Sequence, residues 1–80
     1  MTYRKLRITI ETLVKTGLEK VNVLGEEDAQ DDLWQIYEIC QELLRFWEDE
    51  ITDDQDYELE EIMAELPLLQ RVSIKAIKHI

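Results

Sequence analysis

Carboxylates dominate the side chains of this chain that could do chemistry. Asp31, Gln35, Glu38, Glu42 and Asp49 recur at three-, four- and seven-residue intervals, and Glu48, Asp49, Glu50, Asp53, Asp54 and Asp56 crowd the stretch that follows. On a helix, three- and four-residue spacing lines side chains up along one ridge, roughly 5–6 Å apart. Phosphates along a nucleic-acid strand present negative charge at a broadly similar spacing. Like charges at i,i+4 cost a helix a few tenths of a kcal/mol each, about 0.2–0.5, so the ridge gives no structural gain. The bland reading is a solvated face. The functional reading is a surface that docks on a basic, nucleic-acid-binding patch of another protein, with fast and salt-sensitive association.

Other chemistries find less support. Asp54, Asp56, Glu58 and Glu65 match positions 1, 3, 5 and 12 of a calcium loop, but position 6, which needs Gly for its sharp turn, is Leu59. No dedicated metal site is expected. A nucleophile–base pair would have to join Cys40 or Ser73 to His79. Cys40 sits in the middle of an apolar stripe, where a small buried hydrophobe is the expected role. Nothing indicates an apolar pocket that would raise one carboxyl of a pair. The reading is a non-enzymatic protein without a cofactor.

The chain has 80 residues, which allows one domain, residues 1–80. It holds 19 Asp and Glu against 9 Lys and Arg, a formal charge of −10, with 45% apolar residues. That is too apolar for a disordered acidic tail. No apolar run reaches membrane-spanning length, and the opening MTYRKLRITI mixes bases with apolar residues unlike a secretory signal. A lone cysteine suits a reducing compartment, so a cytoplasmic protein is expected.

The net charge conceals a division. Residues 1–25 carry five bases against Glu11 and Glu19, or +3; residues 26–65 carry 17 acids against Arg45, or −16; residues 66–80 carry Arg71, Lys75 and Lys78, or +3. Leu6, Ile8 and Ile10 alternate with Lys5, Arg7, Thr9 and Glu11, a period of two that predicts a half-buried strand. Val21 to Leu24 predicts a second strand, with a hairpin turn at Thr16-Gly17. The rival reading makes residues 11–17 a short helix capped by Gly17; the poor helix formers Thr12, Val14 and Thr16 favour the hairpin.

Beyond Gly25, the acids Glu26, Glu27 and Asp28 load a helix N-terminus, and a helix is expected from about Ala29 to Glu50. Its apolar stripe covers about half the cylinder, enough for burial against two surfaces. Thr52-Asp53-Asp54-Gln55 fits a capping box for a second helix, from about Asp53 to Leu66, which Pro67 ends. Arg71 to Ile80 alternates again and predicts a third strand. The expected fold is α+β: a small three-stranded sheet with two antiparallel helices on one face, in the order ββααβ.

Such a domain would be electrically two-sided, with Lys5, Arg7, Lys20, Arg71 and Lys75 on the open face of the sheet and the acids outside the helices. The basic face, with Tyr3 as a stacking platform, could meet RNA or the acidic face of another copy. The negative field argues against direct nucleic-acid binding. Trp34 falls outside the apolar arc and Tyr57 lies opposite the Ile62–Leu66 face, so both are candidate interface anchors.

In size, charge and the ridge at Asp31, Glu38, Glu42 and Asp49, the chain resembles small acidic inhibitors that mimic nucleic acid, such as phage anti-restriction and anti-CRISPR proteins. It is similar in character to bacteriocin immunity proteins, which block nuclease toxins with an acidic helical face. The resemblance covers residues 26–65 in character only; the −16 block itself gives the expected partner-binding set, with Asp31, Glu38, Glu42, Asp49, Asp53 and Asp54 supplying the field and Trp34 and Tyr57 the anchors, directed at a basic protein surface. The alternative is a small structural or regulatory subunit that associates through apolar helix surface, as a homodimer or an assembly component.

Overall fold

A computed structural model describes residues 2–69 of the chain. Three α-helices, α1 (Tyr3–Leu24), α2 (Gln30–Phe46) and α3 (Asp53–Met63), follow one another, with a short 3-10 turn at Glu48–Glu50. No strand occurs among the described residues, so the expected three-stranded sheet is absent and the arrangement is three-helical rather than α+β. The third expected strand, Arg71 to Ile80, lies outside the described residues.

Both expected N-terminal strands and the hairpin between them belong to α1. The reason is visible in which residues it buries: Leu6, Ile10, Val14 and Gly17, at intervals of four, four and three. That set fits one face of a 3.6-residue helix. Ile8, the middle member of the apparent alternation, is 53% exposed on the opposite side. Thr12 and Thr16, which argued against a helix, are accommodated by their own hydroxyls, as is Thr9. Thr9, Thr12 and Thr16 donate to the carbonyls of Lys5, Ile8 and Thr12, one turn back, at 2.8, 2.8 and 3.0 Å. Thr2 caps the start, its hydroxyl accepting from the Lys5 amide.

Gly17 is neither a turn nor a cap. A β-carbon there would meet Leu66 Cδ2 at 2.8 Å and Leu33 Cδ2 at 3.0 Å, so its missing side chain is what lets α1 approach its neighbours. The stop comes at Gly25, with φ +88 and ψ 158, a conformation nearly restricted to glycine.

α2 starts on Gln30 with Asp31 and Asp32 in its first turn, where the macrodipole favours them. It ends at Phe46, before the expected Glu50. Glu48, Asp49 and Glu50 would place three negative charges at the negative end of the dipole, and the chain tightens into the 3-10 turn instead. The capping box forms as its residues indicate: the Gln55 amide donates to the Thr52 hydroxyl at 3.1 Å, and the Thr52 amide to Gln55 Oε1 at 3.0 Å. α3 ends at Met63 rather than Leu66. The backbone N–H groups of Glu65 and Leu66 donate three residues back, to Ile62 and Met63, a tighter turn that carries Leu66 into the core just before Pro67.

The core is Leu6, Ile10 and Val14 of α1, Leu33, Ile36, Cys40 and Leu44 of α2, and Leu59 and Met63 of α3, closed by Ala29 and Leu66. α1 packs on both other helices, and these pack less closely on each other. The short dimension is 16 Å, about two helix layers. α1 forms one layer, α2 and α3 the other, and every helix keeps one face in solvent.

Candidate functional site

The layering assigns the charge blocks to opposite sides. α1 carries +3, and the segment that supplies α2 and α3 carries −16. A helix stands where a sheet was expected, yet the division survives, because each block is confined to its own stretch of chain and each stretch to its own layer.

Asp31, Glu38 and Glu42 are exposed along α2, with Asp49 exposed in the 3-10 turn beyond it. Asp53 and Asp54 open α3 and are also exposed. Their position in the first turn gives them a favourable dipole interaction, which Glu38 and Glu42, in the body of α2, do not share. Among the described residues, the side chains of Glu38, Glu42, Asp49, Asp53 and Asp54 make no ion pair or hydrogen bond. At the junction of the end of α2, the 3-10 turn and the start of α3, a cleft of about 440 Å³ opens, its charged lining Arg45, Glu48, Asp49, Asp53, Asp56 and Glu60. Glu38 and Glu42 do not line this cleft; they border a separate shallow depression with Gln41 and Arg45, so Arg45 is the cation between the ridge of α2 and the acids at the start of α3.

The two aromatic candidates differ. Tyr57 is 63% exposed. Trp34 is half-buried, edge-on to Tyr37 with ring centroids 5.8 Å apart. Gln41 Nε2 donates to the Tyr37 hydroxyl at 3.0 Å, so Trp34 belongs to a packed group on α2 rather than standing out in solvent. The most exposed aromatic ring among the described residues is that of Phe46, a member of the apolar stripe of α2: it is 76% exposed, with Trp47 edge-on to it at 5.0 Å and Ile39, 40% exposed, on the same edge of α2. Helical angle could have found this, since Phe46 and Ile39 fall at the margin of the apolar arc.

A further cluster depends on α1 being a helix. The Tyr3 hydroxyl donates to Glu58 Oε2 at 2.5 Å, while Arg7 pairs with Glu11 at 3.3 Å and with Glu58 at 3.8 Å. The hydrogen bond to Glu58, with smaller contributions from burial and that carboxylate's charge, holds the Tyr3 phenol above its usual range. The helical spacing Tyr3–Arg7–Glu11 signals this cluster, and the strand reading concealed it.

The remaining chemistries can be placed. Asp54, Asp56 and Glu58 lie on α3, whose rigid rise cannot wrap an ion, and Leu59, at the loop's turning point, is fully buried. Glu58 is engaged by Tyr3 and Arg7. No group of three or more potential ligands occurs among the described residues. Cys40 is buried and its thiol is pushed up to about 11 by that burial, which disfavours a thiolate nucleophile. Ser73 and His79 lie outside the described residues. No helix in residues 2–69 is long and apolar enough to cross a membrane. Compared with protein-family models, curated proteins and solved structures, the chain matches none.

Proposed function

We propose that this protein is a non-enzymatic, cytoplasmic binding module whose α2–α3 layer occupies a basic, nucleic-acid-binding surface of a partner protein and thereby inhibits or regulates it. One observation carries the reading. Glu38, Glu42, Asp49, Asp53 and Asp54 are exposed on one layer, and none is neutralised by a base among the described residues. Gathering like charge costs conformational stability, and an oppositely charged surface offsets that cost. Asp31 extends the face at one end, and Tyr57, with the packed Trp34, supplies aromatic area beside it. Such a face works by steering: the field raises the encounter rate, and a nucleic acid seeking the same basic groove is excluded by charge and volume.

Reversal of Glu38 and Glu42 to Lys tests this. The pair contributes nothing to the core, so the fold is retained. Proteins captured from the native cell by the wild type and lost by the double variant should be basic nucleic-acid-binding proteins, released as salt rises. Equal capture by both would defeat the reading.

A second reading has its own observation. Phe46 and Ile39 leave apolar area open along α2, which suits a structural subunit that pairs with itself or with an assembly. Sedimentation separates the two readings: a dimer insensitive to salt and broken by Phe46→Ser favours the second.

A further inference from the structure

The outer face of α1, turned away from α2 and α3, carries more than solvated charge. At 100° per residue, Arg4, Lys5, Ile8 and Lys15 fall within an arc of about 100°, opposite the buried set Leu6, Ile10, Val14 and Gly17. Ile8 is exposed on this arc, and among the described residues Arg4, Lys5 and Lys15 make no ion pair. A branched apolar side chain therefore stands in water among bases that nothing in residues 2–69 neutralises.

The outer face of α2 is its complement. Glu38, Glu42, Phe46 and Ile39 span a similar arc of about 100°, with Arg45 at the margin beside Glu38, away from Phe46 and Ile39. All four are exposed, and neither Glu38 nor Glu42 has a basic partner among the described residues. One helix shows an apolar side chain flanked by bases, the other apolar side chains flanked by acids. The two faces belong to opposite layers, so they cannot meet within one molecule.

Between copies they match in register. With the helices antiparallel and Ile8 of one copy against Phe46 of another, seven residues forward on α1 brings Lys15 level with Ile39, between Glu38 and Glu42. Four residues back brings Arg4 past the end of α2, to the acidic turn Glu48–Glu50. Glu19, an acid on the α1 arc, comes level with the neutral Gln35. Glu11, at the edge of that arc, is already paired with Arg7.

We propose that the protein binds a second copy of itself head to tail, the basic outer face of α1 seating on the acidic, apolar-edged face of α2. Each bound copy keeps one face open, so the contacts propagate into chains or close into a ring. Charges in contact act within the Debye length of about 8 Å at 0.15 M salt, whereas repulsion between the two net charges of −10 acts over longer distances and is screened. The association does not depend on the function proposed above. It uses the same α2 face, so an external basic partner competes with it.

Two variants of the full chain test this by complementation. Arg4→Gln, Ile8→Ser and Lys15→Gln together disable the α1 face; Glu38→Gln, Glu42→Gln and Phe46→Ser disable the α2 face. All six side chains are exposed, and circular dichroism checks that helix content is kept; Ile8→Ser or Phe46→Ser alone replaces a triple variant that loses it. In sedimentation equilibrium at about 0.15 M salt, the average mass of the wild type should rise with concentration past that of a dimer. Each variant should stay monomeric. An equal mixture of the two should approach the mass of a dimer and stop there, because one intact pair of faces remains.

A wild type still monomeric at millimolar concentration, or a mixture that stays monomeric, would overturn the proposal. A dimer retained by the α1 variant would also overturn it, by assigning the contact to α2 alone. Stronger association in the α2 variant would do the same, since relief of net charge rather than matched faces would then govern self-contact. The α1 variant keeps its acidic face, so its capture of basic proteins reports on the proposed function separately.

Discussion

A β-carbon on Gly17 would come within 2.8 Å of Leu66 Cδ2, so the middle of the first helix and the segment after the last are joined through a missing side chain. Gly17→Val should therefore destabilise the protein by about 1–3 kcal/mol through overpacking. Gly17→Ala sets a smaller clash with a movable leucine methyl against roughly 1 kcal/mol of helix propensity. It should fall within about 1 kcal/mol of the wild type. Urea unfolding followed by tryptophan fluorescence gives both values, and a harmless Val would show that the contact is not close.

Gln30→Ala removes the partners of the Pro67 carbonyl and the Leu69 amide together. The first of these bonds is part-buried and the second exposed to water, so the loss should be about 0.5–1.5 kcal/mol. Hydrogen exchange at the Leu69 amide should accelerate more than at core amides such as that of Ile10. Uniform acceleration would mean that Gln30 supports the whole fold rather than this junction.

Salt should stabilise the molecule. With a net charge of −10 and Glu38, Glu42, Asp49, Asp53 and Asp54 without basic partners among the described residues, repulsion falls as the Debye length shortens from about 30 Å at 0.01 M to about 8 Å at 0.15 M. A rise in Tm of a few degrees is expected, since about 1 kcal/mol moves a domain of this size by roughly 4–8 °C. The Glu38→Lys/Glu42→Lys variant should start higher and gain less. A Tm that falls with salt would point to internal ion pairs as the dominant electrostatic effect.

Alkali should weaken the fold before it ionises the native state. Burial pushes the Cys40 thiol from 9.0 up to about 11, and the hydrogen bond to Glu58 raises the Tyr3 phenol from 10.0. In both cases the native state holds its proton longer than the unfolded chain does. The associated stability is complete below the unfolded values and is lost as pH climbs through the native ones. Unfolding free energy should decline from about pH 9 upward, less steeply in Cys40→Ala and in Tyr3→Phe. A flat profile through pH 11 would contradict the burial of Cys40.

The same burial protects the thiol. A thiol reagent at pH 8 should label Cys40 at the rate of opening rather than of simple collision. Its labelling should accelerate sharply in urea near the unfolding midpoint. Labelling as fast as that of free cysteine would place Cys40 at the surface.

How much of this was legible in the sequence follows from how local each signal is. The capping box at Thr52 and Gln55 and the acidic first turn of α3 are set by residues within one turn of each other, and sequence alone determined them; Gly25 was legible as a break but of an expected strand, and the acids expected at the start of α2, Glu26, Glu27 and Asp28, precede a first turn that carries Asp31 and Asp32. The charge blocks were equally legible, because net charge over a contiguous stretch needs no fold to be counted. The first 24 residues were different. Leu6, Ile8 and Ile10 satisfy a period of two, while Leu6, Ile10, Val14 and Gly17 satisfy a helix. Neither pattern wins until something covers one face. Contact with α2 and α3 decided it, burying Leu6 and Ile10 and leaving Ile8 in water. The exposure of Phe46, the packing of Trp34 on Tyr37 and the junction of Gln30 with Pro67 and Leu69 were likewise decided by packing. Each joins or separates groups whose distance is set by the angles between helices, and a sequence does not print those angles.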